Sequence, residues 1–72
     1  MKNYDKLIYD VFYIPIDRNE SIESVINKFQ SVMERNGINK YIEDDKYSIN
    51  YTYFAMQKVY LEVLNNFFKR HL

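Results

Sequence analysis

Apolar positions along this chain fall into four groups separated by polar punctuation, and the groups do not share one period. The first runs from Lys6 to Ile14 (KLIYDVFYI), is dense in aromatic and β-branched residues, and is closed by Pro15, which has no N–H to give a ladder. It reads as a strand with Leu7, Tyr9, Val11 and Tyr13 on one face and Ile8, Asp10, Phe12 and Ile14 on the other, so both faces call for cover. Leu7, Val11 and Ile14 also fit helical spacing, which keeps a short helix open over residues 4–14.

The second group is helical. Ile22, Val25, Ile26, Phe29, Val32 and Met33 form one apolar stripe, with Asn27, Lys28, Ser31, Glu34 and Arg35 away from it. Asn19 is the expected N-cap, and Glu20 and Glu23 set negative charge at the positive end of the helix dipole. Gly37 is the expected stop, because glycine enters the left-handed region without strain, and Ile38 then falls where a Schellman motif presses it on Met33.

Next, Ile38 to Ile42 reads as a short strand and Glu43 to Lys46 as a hairpin loop. Tyr47, Ile49, Tyr51 and Tyr53 then alternate with Ser48, Asn50 and Thr52, the pattern of a half-buried strand. From about Phe54 to Arg70 the period is helical again. Its apolar residues span an arc of about 220°, well beyond the roughly 100° stripe that docks a helix on one core. Lys58, Glu62, Asn65, Asn66 and Lys69 keep the remaining side polar. The expected order is therefore β-α-β-β-α, an α+β fold with a three-stranded sheet and two helices on one face, with an all-α three-helix arrangement as the alternative.

Seventy-two residues are too few for two independent cores, so residues 1–72 are expected to be one domain. A core this small carries little surplus stability, and with no cysteine there is neither a disulfide nor a zinc–thiolate staple. Eight Tyr and five Phe among 72 residues exceed what one small core can enclose, which favours association with a second polypeptide. Tyr9, Tyr13, Tyr41, Tyr47, Tyr51 and Tyr53 are candidates for a recognition surface. Ten basic and ten acidic residues balance, so no overall field draws the chain to nucleic acid or to an anionic membrane. Neither a secretion signal nor an apolar run of spanning length is read in the sequence, so a cytoplasmic location is expected and the matches Asn19-Glu20-Ser21 and Asn50-Tyr51-Thr52 to the glycosylation pattern are taken as chance.

Catalytic chemistry finds little support. The one histidine, His71, is next to last, and Ser21, Ser24, Ser31 and Ser48 have neither a base nearby in sequence nor a strained glycine-rich elbow. A single glycine excludes a phosphate-cradling loop. Glu43, Asp44 and Asp45 lack the alternate spacing of a calcium loop and read as a solvated turn, or as an anionic knob for a basic pocket on a partner. No catalytic residue, metal ligand or cofactor site is expected. Lys58, Lys69, Arg70 and His71 make at most a local basic patch, the basis of an alternative reading as a small nucleic-acid-binding regulator; a structural scaffold is a third. The preferred reading is a homodimeric protein-binding modulator. Tyr60, Val63, Phe67 and Phe68 would serve self-association or partner contact, and Ile8, Phe12 and Ile14 an uncovered sheet face.

Half of the residues are Asn, Lys, Ile, Tyr or Phe, while Gly, Pro and Ala occur once each, a bias that points to AT-rich coding sequence. In size and composition the chain resembles the small accessory and host-takeover proteins of phages and mobile elements of AT-rich Gram-positive bacteria. That resemblance implies binding to a host or competitor protein, often as a dimer, and blocking a replication, transcription or defence component. Gln57-Lys58-Val59-Tyr60-Leu61 is similar to the Gln-anchored peptide of sliding-clamp partners, which binds in extended form, whereas this stretch is expected to be helical.

Overall fold

The computed structural model describes the backbone of residues 4–70 and, within them, all side chains except those of 46, 47 and 68–70. The order of elements is α1 (Tyr4–Phe12), α2 (Ile22–Arg35), β1 (Tyr41–Ile42), β2 (Asp45–Ile49) and α3 (Tyr51–Arg70). This overturns the expected β-α-β-β-α order. Two antiparallel strands replace the three-stranded sheet, and the three helices stand closer to the all-α alternative. The chain divides into two compact units, Met1–Asn39 and Lys40–Leu72.

In the first unit the opening segment is helical because its side chains pair at intervals of four. Lys6 Nζ donates to Asp10 Oδ2 at 2.6 Å, and the Tyr9 and Tyr13 rings stack with centroids 4.2 Å apart. Asp5 adds negative charge in the first turn. Leu7 and Val11, also four apart, are buried where α1 packs on α2. Strand propensity is context-dependent, and here the four-residue pairing and the packed Leu7–Val11 edge outweigh it. Pro15 follows the helix and ends it, as it would have ended a strand.

The cap of α2 is Ser21, two residues beyond the expected Asn19. Ser21 Oγ accepts from the Ser24 N–H at 3.1 Å and the Ser21 carbonyl from the Val25 N–H at 3.1 Å. Asn19 is taken up inside a turn that the Glu20 N–H closes on the Asp17 carbonyl at 3.1 Å. Of the expected stripe, Val25, Phe29, Val32 and Met33 are buried and Ile26 is half-buried, while Ile22 in the first turn is 63% exposed. The stop is as expected. Gly37 has φ +77°, its N–H donates to the Glu34 carbonyl at 3.0 Å, and the Ile38 N–H reaches the Met33 carbonyl at 2.9 Å, the two bonds of a Schellman motif. Ile38 is buried. Each of these buried aliphatic and aromatic side chains contributes about 1.5–3 kcal/mol of transfer free energy.

In the second unit the expected hairpin forms, shorter on its first side. Ile42 faces Asp45 across the Glu43-Asp44 turn, but Tyr41 next faces Ile49, so residues 46–48 bulge from the ladder. The strand expected over Tyr47–Tyr53 stops at Ile49. Asn50 intervenes: its Oδ1 accepts from the Thr52 and Tyr53 N–H groups at 3.1 and 3.3 Å, and its carbonyl from the Phe54 N–H at 3.4 Å. That is an N-cap, and it turns Tyr51, Thr52 and Tyr53 into the first turn of α3. The Asn50 N–H meanwhile donates to the Lys40 carbonyl at 3.0 Å, tying the cap to the start of the hairpin. Tyr53 and, two turns on, Tyr60 are buried. Lys40 Nζ stands 5.9 Å from the centre of the Phe54 ring, within cation–π range.

Candidate functional site

Helix α3 leaves an apolar stripe in the open. Val59, Val63 and Phe67, at intervals of four, are 50%, 45% and 54% exposed. Residues so spaced are neighbours on a helix surface, so the three form one ridge. Tyr60, expected on the same contact surface, is only 2% exposed and therefore belongs to the buried side of α3. The Phe68 side chain lies outside the described residues. Val59 was legible from its spacing to Val63 and Phe67, yet the width of the apolar arc concealed which edge would stay open.

A second apolar patch lies on α1, where Ile8 and Phe12 are exposed at helical spacing. The uncovered sheet face expected for Ile8, Phe12 and Ile14 does not exist, since the segment is a helix. Ile14 follows that helix in the connection to α2 and is half-buried.

A cleft of about 430 Å³ lies within the first unit, between the end of α1, the start of the connection, and α2. The stacked Tyr9 and Tyr13 rings, Ile14, Pro15 and Val32 give it a mainly apolar lining, to which Asp10, Lys28, Ser31 and Arg35 add polar groups. No sequence signal marks this cleft, because three separate segments must meet to form it. Lys28 Nζ donates to the Pro15 carbonyl at 2.8 Å and to Glu20 Oε1 at 2.9 Å, holding the connection against α2. Glu20 also accepts from Ser24 Oγ at 2.6 Å and from the Asp17 N–H at 3.1 Å. These bonds, that from Ser24 foremost, hold its carboxyl down at about 2. Asp10 lies below the usual carboxylate range chiefly through hydrogen bonds from Lys6 and then Asn36, whose Nδ2 is 3.2 Å away. Arg35, in the last turn of α2, is exposed and makes no hydrogen bond or ion pair with the described residues; it acts on Asp10 through its field alone.

The acidic turn Glu43, Asp44 and Asp45 is exposed, with exposed Tyr41 and Ile42 beside it. Among the described residues no cluster of acidic or histidine side chains is arranged to hold a metal ion. Of the other tyrosines weighed for recognition, Tyr51 is exposed, Tyr53 is buried, and the Tyr47 side chain is not described. Ser21 and Ser24 serve the start of α2, Ser31 Oγ donates to the Asn27 carbonyl, and Ser48 Oγ donates to Asp45. Lys58 is exposed on α3, whereas the side chains of Lys69, Arg70 and His71 lie outside the described residues. Gln57 to Leu61 is helical, so it does not present the extended form of a clamp-binding peptide. No described helix is long and apolar enough to cross a membrane. No family model, curated protein or solved structure matches this chain.

Proposed function

We propose that this chain is a small protein-binding modulator, homodimeric and cytoplasmic, that covers a functional surface of another protein and carries out no catalysis of its own. The observation that carries the reading is the Val59–Val63–Phe67 ridge. A contiguous apolar ridge on a surface helix is costly to leave in water and is the usual mark of a protein contact. Among the described residues thirteen large apolar or aromatic side chains are exposed against nine apolar ones buried, so the ridge belongs to a wider surplus that the core does not absorb. The compositional resemblance to phage and mobile-element accessory proteins adds the class of partner: a replication, transcription or defence component of a host cell.

The test compares the wild-type chain with Val63→Asp and Phe67→Asp as bait in affinity capture from a bacterial lysate, with circular dichroism confirming that each variant is folded. Both positions are half exposed, so the substitutions spare the core. The reading expects proteins retained by the wild type and lost with both variants. Identical capture by all three baits overturns it.

A further inference from the structure

We propose that the cleft of the first unit is a docking site for the Glu43-Asp44-Asp45 turn of a second copy of this chain. The proposal rests on the protein-binding reading above and assigns the self-association within it to a surface other than the α3 ridge. The cleft is an apolar trough with cations along one wall. Tyr9, Tyr13, Ile14 and Val32 supply the trough, and Lys28 and Arg35 lie on α2 seven residues apart, about 10 Å along the helix axis. Arg35 engages no described residue by hydrogen bond or ion pair, and its planar guanidinium suits a carboxylate. Lys28 spends two of its three ammonium protons on Pro15 and Glu20 and keeps one. The carboxylate on the same cleft, Asp10, already accepts hydrogen bonds from Lys6 at 2.6 Å and from Asn36, and takes none from Arg35.

The acidic turn has the complementary build. Glu43 and Asp44 are exposed at the tip of a two-residue turn and engage none of the described residues, and Ile42 and Tyr41 beside them are about half exposed. An anionic tip with an apolar shoulder thus matches an apolar trough with a cationic wall. The balance of ten basic and ten acidic residues removes net repulsion between copies, leaving the local complementarity to set the contact. Apolar burial supplies adhesion, and the charges supply register and salt dependence.

Sedimentation velocity of the purified full chain over a concentration series, at about 50 and 500 mM NaCl, tests this with Arg35→Glu, Asp44→Arg and the double variant that swaps the two charges. All three change exposed side chains, and circular dichroism checks their folds. The wild type is expected to self-associate at low salt. Each single reversal and the higher salt should weaken association about tenfold or more, and the double variant should recover it. A wild type that stays monomeric throughout overturns the proposal. So does association that neither reversal moves, or a double variant no better than the single ones. Val63→Asp and Phe67→Asp should leave this equilibrium in place, so a failure here and a failure of the partner-binding reading are distinct results.

Discussion

Lys28 Nζ lies 2.9 Å from a carboxylate oxygen of Glu20 and 2.8 Å from the carbonyl oxygen of Pro15, so one side chain of α2 fastens both ends of the connection that leads into it. Glu20 is the centre of that arrangement. It accepts from a backbone amide, a hydroxyl and an ammonium, and its side chain is largely shielded from water. The connection between α1 and α2 is thereby held by polar contacts near both of its ends.

This predicts an acid-sensitive fold. The Glu20 carboxyl is held at about 2, against an ordinary 4.5, so its contribution is complete above pH 4.5 and is lost as the pH falls from there toward 2. Asp10, shifted in the same direction, adds to the loss. Thermal unfolding followed by circular dichroism should show the melting temperature falling between pH 5 and pH 2. Glu20→Gln should melt lower than the wild type at pH 7 and fall less on acidification. Parallel acid profiles for the two proteins would contradict the role given to Glu20.

The stop of α2 makes a sharper prediction. Gly37 has φ +77°, and a Cβ built there meets nothing within 4 Å, so the cost of a side chain is conformational alone. Gly37→Ala should destabilise by about 1–2 kcal/mol, with Gly37→Asn milder because asparagine enters the left-handed region more readily. Urea unfolding measures both. An alanine variant as stable as the wild type would mean that the Schellman geometry is not held in solution.

Asn50 decides where the hairpin ends and α3 begins. Asn50→Ala removes the side-chain acceptor for the Thr52 and Tyr53 amides and should cost about 1 kcal/mol, while Asn50→Asp or Asn50→Ser should retain most of the stability. Urea unfolding of the three variants checks this. Equal losses in all three would show that the cap is not what fixes the start of the helix.

How far the sequence foretold this structure depended on where the deciding contact lay. The α2 stripe and its Gly37 stop were legible because local periodicity and one backbone requirement set them. The strand expected at Lys6–Ile14 failed because aromatic and β-branched content was weighed above the four-residue spacing of Leu7 with Val11, Lys6 with Asp10 and Tyr9 with Tyr13. At Tyr47–Tyr53 the alternation was present, but the Asn50 side chain competes for the backbone amides and breaks it. Of the candidate contact residues, Val63 and Phe67 lie on the exposed ridge, whereas Tyr60, within the same wide apolar arc, turned inward. The cleft was beyond reach, since no periodicity brings Tyr13, Pro15 and Arg35 together.

Two members of the expected α2 stripe should behave oppositely. Phe29 is fully buried, so Phe29→Ala should cost about 3–5 kcal/mol in urea unfolding. Ile22 is exposed, and Ile22→Ala should stay within about 0.5 kcal/mol of the wild type. Similar losses at both positions would indicate that Ile22 is covered.

The central claim is that the α3 ridge is apolar surface open to a partner. Solvent paramagnetic relaxation enhancement on the methyl groups of the dilute, isolated chain tests it most directly. Strong enhancement at Val59, Val63 and Ile8, beside protected methyls at Val11, Val25 and Val32, is the predicted result. Methyls of Val59 and Val63 as protected as that of Val25 at every dilution would contradict it.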